Sequence, residues 1–122
     1  MVPKSLRTWF VIHFFVDFLF GIPLLIAPVW ALTLFGWKYV DPATSRLVGA
    51  ALLGIGGESL LGRNANLETF RAMLNLKIIW SLAAIFGITA SIIQGAPPMG
   101  YAFLAIFAVF SAIWIFYRVK LN

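Results

Sequence analysis

Four apolar runs, each of about 17–25 residues, limit this chain to one kind of fold, because such a run matches the length that a helix needs to cross a bilayer. A soluble four-helix bundle would need a polar face on each helix, and the runs have none. Of the 122 residues, 62% are hydrophobic and 11% are charged. Soluble domains have about 45–50% apolar and about 25% charged residues. The sequence therefore predicts a polytopic helical membrane protein.

The residues between the runs predict where the helices begin and end. The first span should extend from Leu6 to Ala27, and Pro23 should kink its last turns because proline lacks the N–H that a helix needs. A short helix, Pro28–Phe35, should follow, since proline is well tolerated at the first helical position. Its aromatic neighbours are of the kind that collects at headgroup level, which predicts an interfacial helix: Trp30, Trp37 and Tyr39.

Three further spans are predicted in the rest of the chain. Asp41 and Pro42 form an N-cap and a first-turn proline, so the second span should run from this pair to Leu61. The third is expected at about Leu67–Ile93 and the fourth at Tyr101–Tyr117. No internal repeat is visible, so an inverted-repeat transporter is not favoured. The prediction is an all-α integral membrane bundle of four transmembrane helices, a single domain, with a short interfacial helix after the first span.

The basic residues predict the orientation in the membrane. One side of the predicted spans has Lys4, Arg7, Arg63, Arg71, Arg118 and Lys120, and the other side has Lys38 and Arg46. Because cytoplasmic loops are enriched in lysine and arginine, both termini should be cytoplasmic. This bias also argues against the dual-topology insertion of some small multidrug exporters and fluoride channels. The net charge of +5 does not indicate nucleic-acid binding, since these residues do not form one patch on a soluble surface.

Several polar residues lie inside the predicted spans, all in their cytoplasmic halves. His13 and Asp17 are four residues apart and should share one face of the first helix. With Arg7 and Gly62 taken as the cytoplasmic ends, Asp17 lies about 15 Å below Arg7 and Glu58 lies about 6 Å below Gly62, at 1.5 Å per residue. The depths predict one inward-facing polar cluster that consists of His13, Asp17, Glu58, Arg71, Asn75 and Lys77.

The free-energy cost of a charge in lipid is a reason for the charged residues of this cluster to pair. Each charge at mid-bilayer costs about 2.5–3.5 kcal/mol, so Asp17 or Glu58 is expected to pair with Lys77 or Arg71. Three explanations stay open. The cluster is either a clasp that fixes helix register or a functional site that binds a polar headgroup or handles a proton. A cluster that faces a partner protein is the third alternative.

Specific chemistries find little support in the sequence. Because the chain has one histidine and no cysteine, neither a metal site nor a haem site is expected, and no cofactor is predicted. No nucleophile elbow surrounds Ser59 or Ser81, so a serine hydrolase is not favoured. An acid–base site of His13, Asp17 and Glu58 that acts on a lipophilic substrate stays open as the enzyme alternative.

Small residues follow one another at three- and four-residue spacing in the second span. They are Gly49, Ala50, Gly54 and Gly57. Such spacing lets helix backbones approach closely in lipid, where packing drives association. Packing within the bundle is the expected role, and a dimer interface or clearance for a ligand is the alternative.

The stretch from Pro28 to Arg63 resembles the DoxX-like group of small four-helix membrane proteins. The resemblance consists of a proline that ends the first span, then Leu34-Phe35-Gly36, then Arg46 and Gly49-Ala50 at the start of a glycine-rich helix. It implies a compact four-helix bundle and no settled activity. No catalytic motif carries over to this chain.

The favoured hypothesis is a small non-enzymatic membrane protein that acts as a binding, transport-related or accessory subunit. Its working site would be a cytoplasm-facing polar pocket at the predicted cluster. A membrane-embedded enzyme and a proton-coupled carrier are the alternatives. Membrane lipids are the expected partners. A lipophilic or small polar ligand, a second copy of the chain and a larger membrane complex stay open, and nucleic acid is not expected.

Overall fold

The computed structural model describes all 122 residues, and its regular elements are all α-helices. They are α1 (Lys4–Ile26), α2 (Pro28–Leu34), α3 (Pro42–Leu61), α4 (Leu67–Ile93) and α5 (Met99–Lys120). The predicted all-α fold is confirmed, and the predicted bounds of α3 and α4 agree with those observed. Helix α5 is longer at both ends than the predicted Tyr101–Tyr117.

Three of the helices, α1, α4 and α5, are long and apolar enough to cross a membrane, and they indicate an integral membrane protein. Helix α3 is not among these three. Its 20 residues include four glycines, two serines and the charged Arg46 and Glu58, which make it less apolar than the others. The prediction of several membrane-spanning helices is therefore supported for three of the four expected spans.

The chain divides into two compact units. The first unit, Val2–Ala65, contains α1, α2 and α3. The second unit, Asn66–Asn122 together with Met1, contains α4 and α5.

In the first unit, glycine lets α1 and α3 lie backbone against backbone. A Cβ atom added to Gly49 would lie 2.8 Å from the carbonyl oxygen of Gly21 and 2.8 Å from the backbone nitrogen of Leu25. Real Cβ atoms do not come this close to backbone, so no larger residue fits at Gly49 unless the helices separate. A Cβ on Gly21 would lie 3.1 Å from that of Leu52. This contact holds the two helices antiparallel at close range.

The face that α3 turns toward α1 differs in part from the expected one. Its buried residues are Ser45, Gly49, Leu52, Gly56 and Ser59. Gly49 is in this set as expected, whereas Ala50 and Gly54 are exposed, and added Cβ atoms at Gly54 and Gly57 would meet nothing within 4 Å. Residues seven apart lie on nearly the same face, because each residue turns the helix by about 100°. Gly56 therefore lies on the same face of α3 as Gly49, and Gly54 lies on a different face.

Two prolines and a left-handed glycine shape the segment between α1 and α3. Pro23 lies inside α1, and Pro28 begins α2 as predicted. Gly36 has a φ of 103°, a conformation that glycine adopts without a Cβ penalty. Its N–H donates to the carbonyl of Thr33, and the N–H of Trp37 donates to that of Leu32, each at 3.0 Å. This paired bonding is the Schellman motif, which ends α2 and reverses the chain.

Asp41 caps α3 in the predicted way. Its carboxylate accepts hydrogen bonds from the Ala43 N–H at 3.2 Å and from the Thr44 hydroxyl. Arg46, one turn further into α3, does not pair with Asp41, and its Nε donates to the carbonyl of Leu25 at 3.2 Å. The Asp41 carboxylate bonds to the first turn of its own helix, while the carbonyls at the end of α1 lack helical donors.

In the second unit, a local cap begins α4, and an aromatic contact packs α4 against α5. The side chain of Asn66 accepts from the Thr69 N–H at 2.9 Å and begins α4. The turn that follows α4 contains Gly95 at a φ of 97°. The rings of Trp80 and Phe107 meet edge to face with 6.1 Å between centroids. Aromatic pairs of this kind add to the stability that their buried area supplies.

Candidate functional site

The most buried ionisable pair of the first unit is His13 and Asp17 on α1. Their side chains approach within 3.2 Å, from Nε2 to Oδ1. Only 4% of His13 and 5% of Asp17 is exposed. Both belong to the buried face of α1, which repeats every three or four residues as Leu6, Phe10, His13, Asp17 and Gly21. The prediction that these two residues share one face is confirmed.

Gly56 makes room for the Asp17 side chain. A Cβ atom at this glycine would lie 2.6 Å from the Asp17 Cβ and 3.3 Å from its Oδ2. The backbone of α3 therefore lies directly against the carboxylate-bearing residue. Sequence reasoning missed Gly56, although its seven-residue distance from Gly49 was a usable signal. Ser59, one turn further along the same face, is also buried, and its hydroxyl donates to the carbonyl of Ile55 at 2.8 Å.

Glu58 does not share the burial of this pair. It is exposed on α3, whereas its depth in the sequence predicts that it faces inward with the cluster. Gly56 and Ser59 occupy the inward face at this level, and the helical turn places Glu58 away from α1. The pairing of Asp17 or Glu58 with a basic residue stays a prediction from the sequence.

Lys77 is the buried cation of the second unit. Only 2% of it is exposed, and its Nζ lies 4.8 Å from the centre of the Trp114 ring. An ammonium at this distance is attracted by the electron-rich face of the indole, and the attraction strengthens away from water. The predicted burial of Lys77 is therefore observed, with an aromatic neighbour that the sequence analysis did not name.

Two polar atoms near this lysine are buried without a hydrogen-bond partner, the Nε1 of Trp80 and the hydroxyl of Ser111. Trp80 follows Lys77 by one turn of α4, and Ser111 precedes Trp114 by one turn of α5. A buried polar group without a partner is costly. These donors make the α4–α5 contact favourable for an acceptor group or a water molecule. Ser111 could not be identified from the sequence, since a serine in an apolar helix usually bonds to its own backbone.

Arg71 and Asn75, which were expected in the cluster, are engaged with α5 near the end of the chain. Arg71 donates to the carbonyl of Leu121 from Nε at 3.0 Å and from Nη2 at 2.6 Å, and it forms an ion pair with Glu68. Asn75 is exposed and accepts from the Nε of Arg118 at 2.8 Å. Carbonyls at a helix C-terminus favour such cations, so Arg71 acts as a cap for α5.

The site that the geometry defines in the first unit is thus the His13–Asp17 pair with Gly56 beside it. An imidazole held against a carboxylate can accept a proton, release it or bond to a polar group. No group of three or more His, Cys, Asp or Glu side chains comes together as a metal site would need. The hydroxyl of Ser81 donates to the carbonyl of Ile78 at 3.1 Å, as Ser59 does within α3.

Comparison of the chain with known protein families, curated proteins and solved structures finds no match. The resemblance to the DoxX-like group stays a prediction from the sequence.

Proposed function

We propose that this chain is a small transport-related membrane protein in which α3 forms a fourth span and the His13–Asp17 pair binds a proton. The argument for the fourth span begins from α1, which is long and apolar enough to cross the bilayer. Arg46 bonds to Leu25 near one end of α1 and α3, and Arg7 bonds to the carbonyls of Arg63 and Ala65 near the other end. A helix of 20 residues that follows a spanning helix from end to end crosses with it.

An even number of spans places both termini on one side of the membrane. The excess of lysine and arginine on the terminal side then makes that side cytoplasmic. The same orientation puts α2 and the segment from Phe35 to Asp41 at the outer surface.

The single observation that carries the proposed site is the 3.2 Å approach of His13 to Asp17 inside an otherwise apolar helix. Ionisable residues inside membrane spans are expensive and are characteristic of proton relays and ligand paths. A purely structural role would not need them, because well-packed apolar residues replace buried ion pairs at little or no loss of stability. Histidine is also the side chain whose charge changes near neutral pH.

Nitrogen NMR of the imidazole tests this function directly. The chain has one histidine, so ¹⁵N-histidine labelling reports on His13 alone. In lipid nanodiscs we expect the ring to change protonation reversibly while the helical circular dichroism stays constant. Asp17→Asn should alter the ring signals, and Glu58→Gln should not, because Glu58 is exposed away from the pair.

Proteoliposomes with a trapped pH-sensitive dye supply the functional measurement. The wild-type protein and Glu58→Gln should both dissipate an imposed pH gradient, and Asp17→Asn should not. Two results together would refute the proposal. They are a ring that neither titrates nor exchanges its proton with water, and an Asp17→Asn protein that loses thermal stability alone. The pair would then be a clasp between helices.

A further inference from the structure

A depression opens on the first unit beside α2, away from the His13–Asp17 pair. It holds about 630 Å³ and is open to its surroundings. Its lining combines apolar, hydroxyl and charged side chains, namely Val29, Thr33, Lys38, Tyr39, Val40 and Asp41. The reversal of the chain at Gly36 carries Lys38 and the residues after it back alongside α2. The depression is therefore built by the fold of this connection.

The charges in the depression have opposite signs and are both available. Lys38 is exposed, and no side chain pairs with its ammonium. The Asp41 carboxylate uses two of its roughly four acceptor positions for the Ala43 N–H and the Thr44 hydroxyl. The hydrogen bond from Thr44 holds the pKa of Asp41 below its ordinary value of 3.8, so the group is ionised at neutral pH. The site thus offers one cation and one anion that can still accept hydrogen bonds.

The surroundings of the depression suit the boundary between headgroups and acyl chains. Next to it, α2 exposes 64% of Trp30 and 66% of Leu34, and Tyr39 is 92% exposed. Amphipathic rings of tryptophan and tyrosine collect at headgroup level. Val29 and Val40 supply apolar walls beside the two charges.

From this arrangement we propose that the depression binds the headgroup of a phosphatidylethanolamine lipid, with the phosphate on Lys38 and the ammonium on Asp41. The proposal rests on the outer-surface location of α2 in the proposed function. Phosphoethanolamine carries both charges and an ammonium that donates hydrogen bonds. A phosphatidylglycerol headgroup carries only the negative charge and is repelled by Asp41. A phosphocholine headgroup has no N–H to give to the carboxylate.

Native mass spectrometry of the detergent-solubilised protein tests this binding with phosphatidylethanolamine, phosphatidylcholine and phosphatidylglycerol of identical acyl chains. We expect the ethanolamine lipid to bind about three- to tenfold more tightly than the other two, the range for a pair of exposed charge contacts. Lys38→Gln should reduce that affinity several-fold. Asp41→Asn should remove the preference over phosphatidylcholine while it keeps the helix cap, because asparagine caps as well as aspartate. Lys120→Gln changes an exposed lysine of the second unit and serves as the matched control.

Equal affinity for the three lipids, or unchanged binding by Lys38→Gln, would overturn the proposal. Failure of the membrane topology is recognised separately. The chain has no cysteine, so single cysteines at Tyr39 and Asn122 can be labelled in sealed vesicles with a membrane-impermeant maleimide. Labelling of both from the same side would contradict the proposed topology, whereas the lipid preference in detergent would be unaffected. Opposite sides with no lipid preference would leave the proposed function standing and refute the lipid site alone.

Discussion

Gly56→Ala tests the close contact on which the proposed site depends. The added Cβ would lie 2.6 Å from the Cβ of Asp17, whereas carbon atoms in contact prefer about 3.5–4.0 Å. The two helices must therefore separate by about 1 Å at this level. The nearest atom is the Cβ of Asp17, which cannot swing aside as the tip of a flexible side chain can.

The size of the effect follows from two opposing contributions. Overpacking of a tight contact costs about 1–3 kcal/mol. Replacing glycine by alanine inside a helix returns about 1 kcal/mol of helix propensity. Gly54→Ala is the matched control, because it gains the same propensity at a position where an added Cβ meets nothing within 4 Å. The difference in unfolding free energy between the two variants should therefore be about 1–3 kcal/mol, with Gly56→Ala the less stable.

Thermal unfolding in a mild detergent, followed by circular dichroism, measures this difference. Equal unfolding temperatures for Gly56→Ala and Gly54→Ala would refute the reasoning, since the contact would then not exist in the folded protein.

Two further predictions concern the carboxylates outside the pair. A water-soluble carbodiimide with an added amine, which modifies carboxylates that water reaches, should label Glu58 in preference to Asp17, because Glu58 is exposed on α3 and Asp17 is buried; peptide mass spectrometry locates the product, and predominant labelling of Asp17 would contradict the assigned faces. The lowered pKa of Asp41 means that its contribution to stability is present above pH 3.8 and is lost as the pH falls through the lower folded-state value. The unfolding temperature of the wild-type protein should therefore fall in that acidic range relative to Asp41→Asn, and parallel curves would contradict the prediction.

The bounds of the helices could be predicted because local residues determine them. Asp41 with Pro42 begins α3 through hydrogen bonds within one turn, and Asn66 does the same for α4. Helix α5 extends to Lys120 because basic residues suit the negative end of a helix, which the apolar pattern alone does not register. Its start at Met99 follows directly after Pro98.

The faces of the helices were harder to predict, because α3 carries glycine on more than one side. Spacing alone allowed Gly54 and Gly57 as well as Gly49 to face a neighbour. Contact with Gly21 and Asp17 of α1 selects Gly49 and Gly56, and this selection is a tertiary effect. Arg71 was misplaced for a related reason, since the sequence shows its depth and does not show that the Leu121 carbonyl lies within its reach.

Depth and face together explain why one carboxylate of the first unit is buried and another is exposed. Asp17 is thirteen residues from the start of α1 and nine from its end, so in the proposed topology neither headgroup region is within its reach. Glu58 lies three residues before the last residue of α3, about 4.5 Å along the axis at 1.5 Å per residue. Its side chain can extend to the interface, where a charge costs little. Of these two carboxylates, only Asp17 must therefore be kept out of contact with lipid. It packs against Gly56 and pairs with His13.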